Sequence, residues 1–221
     1  MQGMEKLNTA MGKRSVGWLR YWRIYCLHAI FILVFHLAAC ASQEIRPALN
    51  SERIRQTFGN YGVTVLFNDE SRRVSSLYST EGNVRTARTY AVVEFADPTT
   101  SALAAQHALI VSGESIGEVF RDAGWSIEKR HLFIGEIEVP AAYTEIAALM
   151  RVSLPQNMAV EVYYFTVNKG KRIDDYATIT EIHHPDYLSA ADLKGIYGAV
   201  STDETSRESI EDFIGPPASY P

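Results

Sequence analysis

The chain has 221 residues, of which 47% are hydrophobic and 21% charged, with a formal charge of −5 at neutral pH. That length fits one large domain or two small ones, with enough apolar side chains to fill a core. Its acidic balance argues against nucleic acid or anionic headgroups as partners, since both need clusters of Lys and Arg.

The front of the chain differs from the rest. Residues 1–39 carry Lys6, Lys13, Arg14, Arg20 and Arg23 against one acid, Glu5, and an uncharged apolar run extends from Ile24 to Ala39. These 16 residues fall short of the ~20 that a helix needs to cross a bilayer. A basic start, an apolar middle and a small-residue exit predict a secretory signal peptide, with an uncleaved anchor helix as the alternative and Met4 and Met11 as alternative starts. The run closes on Leu37-Ala38-Ala39-Cys40. This tetrapeptide resembles the lipobox of bacterial lipoproteins, and the resemblance covers the signal segment only. It implies a diacylglyceryl group on the Cys40 thiol, cleavage before Cys40 and acylation of the new amino terminus. Two or three acyl chains, at about 0.8 kcal/mol per buried methylene, hold a protein on a membrane. Ala41-Ser42 lacks the aspartate that the family uses for inner-membrane retention, which implies an outer-membrane address facing the periplasm. Removing the five basic residues and one acid of residues 1–39 leaves 16 against 25, a charge of −9. Cys26 leaves with the signal and Cys40 is modified, so no internal disulfide is expected.

Residues 40–50 read as a lipidated tether and 51–198 as a single α+β domain. A helix is expected at Ser51–Phe58, stopped by Gly59-Asn60. Strands follow at Tyr61–Asn68, at Arg73–Ser79 and, past the turn Glu81-Gly82-Asn83, at Val84–Ala96, whose apolar AVVEFA predicts a central strand. Asp97-Pro98 opens a helix through Ser112, and Ser115 with Glu118 predicts a second one ending at Gly124. Trp125–Val139 returns to strand, Pro140 opens a helix to Met150, and Leu154-Pro155 breaks it. Met158–Asn168 is the clearest strand, and the turn Asn168–Lys171 joins it to Arg172–His183 as a hairpin. Ser189 with Asp192 caps a helix over Ala190–Tyr197, stopped at Gly198. From Ala199 to 221 the polar composition predicts a disordered tail. Many neighbouring strands with short connections predict a mainly antiparallel sheet of five or six strands with helices packed on one side.

Three constellations could carry chemistry. Gly113-Glu114-Ser115-Ile116-Gly117 fits G-x-S-x-G and is similar to the nucleophile elbow of α/β-hydrolases. That resemblance implies Ser115 as nucleophile, His183 or His184 as base and Asp174 or Asp175 as orienting acid. The competing reading makes Gly113 a helix stop, Ser115 a cap and Gly117 a close-packing residue. Ile182-His183-His184-Pro185-Asp186 offers a second set, which His131 could join in a zinc or copper site. Adjacent histidines on a strand point to opposite faces, however, so a strand end is the simpler reading. The tripeptide HHP is also faintly similar to that of pterin-carbinolamine dehydratases, whose downstream third histidine is missing here. Third, Tyr163, Tyr164 and Phe165 could line a sugar or peptide platform or simply cover the sheet. Arg72-Arg73 and Lys129-Arg130 read as solvated edges. The leading expectation is an envelope lipoprotein acting as a non-catalytic binding or assembly module, with the membrane and an envelope protein as partners and no cofactor. A lipid-anchored serine esterase using Ser115 is second, and a metal-binding module at His183/His184 third.

Overall fold

The computed structural model describes residues 48–96, 101–200 and 209–216. The signal segment, Cys40 and the expected helix start at Asp97-Pro98 therefore lie outside the described residues. The six strands are β1 (Gly62–Asn68), β2 (Arg72–Glu81), β3 (Val84–Phe95), β4 (Ser126–Val139), β5 (Gln156–Lys169) and β6 (Arg172–His183). The helices are α1 (Asn50–Phe58), α2 (Ala104–Val111), α3 (Ile116–Asp122), α4 (Thr144–Met150), α5 (Ala190–Tyr197) and α6 (Glu211–Ile214). A 3₁₀ turn over Ser101–Leu103 leads into α2. Among these helices none is long and apolar enough to cross a membrane.

The fold is α+β. The strands form one antiparallel sheet in the order β1-β2-β3-β6-β5-β4. Two three-stranded meanders, β1 to β3 and β4 to β6, meet where β3 pairs with β6 from Thr89↔His183 to Phe95↔Ala177. Both tight hairpins arise from the local signals in the sequence: β2 turns into β3 through Gly82-Asn83, and β5 into β6 through Gly170-Lys171.

Strand alternation divides the sheet into two unlike faces. The back face carries Val74, Tyr90, Val92, Met158, Val160, Val162 and Ile182, and packs against Ile146 and Met150 of α4 and Phe213 and Ile214 of α6. The front face carries a second apolar cluster under α2 and α3, with Val93, Phe120, Tyr163, Phe165 and Tyr176, and a third under α5 around Leu193. Helix α1 also lies on the front, with Ile54 buried and Asn50 reaching β3 and β6. The helices thus occupy both faces rather than one, because each face of the sheet is apolar over part of its area and must be covered.

Two boundaries correct the sequence expectations. Helix α4 begins at Thr144, not at Pro140, because the first residues close a turn in which the Tyr143 N–H donates to the Pro140 carbonyl at 3.1 Å. The domain also does not end at 198. Residues 209–216 return to the back face, where Ile210, Phe213 and Ile214 are buried, and the Tyr143 hydroxyl donates to the Gly215 carbonyl at 2.8 Å. The expected loose tail therefore fails for this segment: three apolar side chains removed from water outweigh the polar composition around them. Phe213→Ala should cost about 3 kcal/mol of unfolding free energy, as buried Phe→Ala changes do. Urea unfolding measures it, and a cost under about 0.5 kcal/mol, the range of ordinary surface substitutions, would show that α6 is not part of the core.

Candidate functional site

The front face is polar where its apolar clusters leave a gap. On β5 the outward alternation is Ala159, Glu161, Tyr163, and on β6 it is Ile179, Glu181, His183. The β5–β6 register sets Glu161 directly opposite Glu181, an arrangement that is unfavourable for two like charges. A register shift in β4 between His131 and Phe133 lets His131 face Tyr163 while Ile134 faces Glu161. Lys129, His131, Glu161, Tyr163, Glu181 and His183 thus converge on one buried patch, with Glu161 1%, Glu181 4% and His183 0% exposed.

Each charge in the patch has a stated neighbour. Glu161 Oε2 lies 2.8 Å from His131 Nε2, and its Oε1 lies 3.3 Å from His183 Nε2. The Lys129 ammonium is 3.9 Å from Glu181 Oε2 and sits 4.0 Å from the centre of the Tyr163 ring. His131 also stacks on Tyr197 of α5, with ring centres 4.3 Å apart. Asn50 Nδ2 donates to both Glu181 Oε1 and Thr89 Oγ1, each at 3.1 Å, while the Tyr187 hydroxyl donates to Asn50 Oδ1 at 2.7 Å. Thr89 Oγ1 in turn lies 3.1 Å from His183 Nδ1. One hydrogen-bonded network therefore links α1, β3, β6 and Tyr187.

The two carboxyls are shifted in opposite directions. Burial opposes ionisation of Glu161, but Lys129, the hydrogen bond from His131 and the nearby His183 ring overcome it, and its pKa falls well below the usual carboxylate range. Burial raises Glu181, and the ionised Glu161 beside it adds to the shift while Lys129 opposes it. Lys129 stays charged: burial works against the ammonium, and Tyr163, Glu181 and Glu161 more than offset that.

A cavity of about 70 Å³ adjoins the patch, beneath α1 and the start of α3. Ser51, Arg73, Ser115, Lys129, Tyr163 and Glu181 line it, with Val63, Leu77, Val93 and Ile179 as apolar wall. Arg73 is 1% exposed and donates to the carbonyls of Ile110, Gly113 and Glu114, at 2.7, 3.3 and 2.8 Å, so it closes the C-terminal end of α2. Three buried atoms facing this cavity have no hydrogen-bond partner: Ser51 Oγ, Arg73 Nε and Glu181 Oε2.

The residues of the hydrolase reading do not assemble. Ser115 occupies the N-cap position of α3, but its side chain does not cap that helix; it hydrogen-bonds to Tyr61, whose hydroxyl burial pushes up to about 12. Asp174 pairs with Arg172 and Asp175 accepts from Thr166, both at the β5–β6 hairpin, the opposite end of β6 from His183. His184 points away from the patch and its Nδ1 accepts from the Asp186 N–H. The glycines of the pentapeptide have architectural reasons instead. Gly113 holds φ +118°, which side-chain-bearing residues rarely adopt, and a Cβ at Gly117 would come within 2.8 Å of Leu49. Of the proposed histidine pair only His183 joins the patch; His131, from β4, is its companion, and Asp186 stays outside. Tyr163 and Phe165 are buried in the sheet, and Tyr164 lies under the Arg130 guanidinium at 4.6 Å from its ring centre, so the three form no open platform.

Sequence reasoning missed Glu161, Glu181, Lys129 and Arg73. Arg73 is buried and the Lys129 side chain is only 13% exposed, so neither is a solvated edge. A signal existed for the acids: each is a lone glutamate inside a strongly apolar strand, MAVEVYYF and ATITEI.

No family model matches the chain, and no curated protein matches it. Among solved structures, the C-terminal domain of PhnF matches over 65% of this chain and 79% of its own, at 12% identity and a TM-score of 0.39. No functional reading rests on a likeness of that level.

The unlike carboxyls make unlike mutants. Glu161→Gln removes the buried carboxylate bound to His131, whose charge also helps hold Lys129 ionised, and should cost about 3–5 kcal/mol at pH 7. Glu181→Gln keeps the acceptor for Asn50 and should lie within about 1 kcal/mol of wild type at pH 5. The sign follows from linkage: a raised carboxyl stabilises at acid pH and loses that contribution as pH rises from about 4.5 through its folded pKa, so Glu181→Gln gains on wild type between pH 5 and 8. Denaturant unfolding across that range checks both; equal costs for the two variants would refute the assignment.

Proposed function

We propose that this protein is an envelope lipoprotein, held on the membrane by lipid on Cys40, whose domain binds a small carboxylate in the front-face cavity without turning it over. The observation that carries the reading is the buried, unpartnered hydrogen-bonding atoms that face the cavity. Buried polar groups are nearly always satisfied, and those that are not call for a water, an ion or a ligand. About 70 Å³ exceeds the ~10–15 Å³ that one water requires. The Ser51 hydroxyl, the Arg73 Nε–H and the Lys129 ammonium are all donors, which suits an acceptor-rich anion. The apolar wall of Val63, Leu77, Val93 and Ile179 suits a short aliphatic tail.

The address and the pocket are tested separately. Cys40→Ser should move the protein from the membrane pellet to the soluble fraction after cell lysis; retention in the pellet would overturn the anchor. For the pocket, thermal melts of the full chain in acetate, propanoate and lactate should show at least one concentration-dependent rise in Tm, as a ligand that binds only the folded state must produce. Ser51→Val removes one donor and adds bulk to the cavity, and should abolish that rise. No rise with any of the three, or an equal rise in Ser51→Val, would contradict the carboxylate reading.

A further inference from the structure

The buried patch behind the cavity has one feature that a carboxylate does not satisfy. An oxygen of Glu161, an oxygen of Glu181 and a ring nitrogen of His183 all lie within 4.8 Å of one another, and all three residues are buried. Their other polar atoms are engaged: Glu161 Oε2 with His131, Glu181 Oε1 with Asn50, and His183 Nδ1 with Thr89. What remains is Glu161 Oε1, Glu181 Oε2 and His183 Nε2. The last two have no hydrogen-bond partner, and the 3.3 Å approach of His183 Nε2 to Glu161 Oε1 is not aligned for a hydrogen bond. The network thus fixes the outward atom of each side chain and leaves the inward atoms facing a common point.

We propose that Glu161, Glu181 and His183 bind a divalent first-row transition ion, with His131, Thr89 and Asn50 as the groups that orient these ligands. Two carboxylates and an imidazole suit zinc, manganese, iron or cobalt better than calcium or magnesium, which take oxygen ligands almost exclusively. A ligating histidine ordinarily donates its second ring N–H to a fixed acceptor, the position that Thr89 Oγ1 holds here, and the His131–Glu161 contact does the same for a carboxylate. The ion would also remove the conflict of two glutamates placed opposite each other across β5 and β6. Lys129 is the competitor. Its ammonium supplies positive charge 3.9 Å from Glu181 Oε2, so it weakens the site by like-charge repulsion, and the ion binds the ionised form of each carboxyl.

The site goes beyond the carboxylate reading and does not depend on it: it shares only Glu181 with the cavity, and Ser51 and Arg73 take no part. Full-length protein without a histidine tag, purified in detergent and stripped with a chelator, is titrated with Co²⁺ and followed by its visible absorption, then with Zn²⁺ by calorimetry. One equivalent of either ion should bind. Glu181→Gln and His183→Asn should each weaken Zn²⁺ binding at least tenfold, and Thr89→Val about 10–100-fold, the usual cost of losing an orienting partner. His184→Asn should bind as wild type. Circular dichroism establishes folding, and Thr89→Val, which leaves every ligand in place, keeps the test decisive should a ligand variant unfold. Absence of 1:1 binding overturns the proposal, as does equal affinity in wild type, Glu181→Gln and Thr89→Val, or a His184→Asn loss as large as that of His183→Asn.

Discussion

A lysine ammonium buried against a carboxylate organises the front of this sheet. Lys129 and Glu161 each carry a charge that burial alone would disfavour; Lys129 keeps its charge through Tyr163, Glu181 and Glu161, and Glu161 keeps its own chiefly through Lys129. Around that pair the sheet arranges His131 and His183, the second carboxyl Glu181, and rings from β5 and α5. Helices α1 and α5 dock onto the front of the sheet partly through this network, by Asn50 in one case and Tyr197 in the other. The helices that cover the patch are therefore positioned by the same interactions that hold its charges.

The two faces of the sheet divide the work. The back face is apolar from β2 to β6 and is closed by α4 and α6, including a C-terminal helix of four residues. Its stability derives from burial of apolar area and places few demands on register beyond the alternation itself. The front face spends area on ions, hydroxyls and a cavity between two apolar clusters. Local costs of this kind, with two glutamates facing each other and donors left unmatched, are expected where a surface is shaped for something other than folding. Arg73 belongs to both sides of this division: its guanidinium ties down the segment from α2 to α3, and its Nε edge remains free at the cavity wall.

Much of the fold was legible because its signals are local. β6 and α5 begin and end where the sequence places them, since a glycine turn fixes one and the Ser189–Asp192 capping box the other. Val84–Phe95 is central in the sheet, as its unbroken apolar stretch indicated. Pro140 misled because proline suits a first helical turn and an ordinary turn equally well. Helix α6 escaped because four residues are too few for a helical period to show. The site was hidden for a different reason. Glu161 meets Glu181 only through the β5–β6 register, and His131 reaches them only through the shift in β4, and neither non-local fact is written in any short window. The motif that stood out locally, GESIG, proved to be a tight corner between two helices, with Ser115 turned to Tyr61.

The central claim is that two glutamates on adjacent strands are displaced in opposite directions, Glu161 downward by the charge of Lys129 and Glu181 upward by its own burial. Carbon-13 NMR of metal-free protein labelled at the glutamate carboxyls reads this directly as a function of pH. The account predicts one glutamate that stays ionised well below the ordinary range and one that titrates above it, with the depressed resonance moving upward in Lys129→Met, where the charge that lowers Glu161 is gone and its burial remains. If instead every glutamate titrates in the ordinary range, the buried charge pair does not exist in solution, and the account of the front face is wrong.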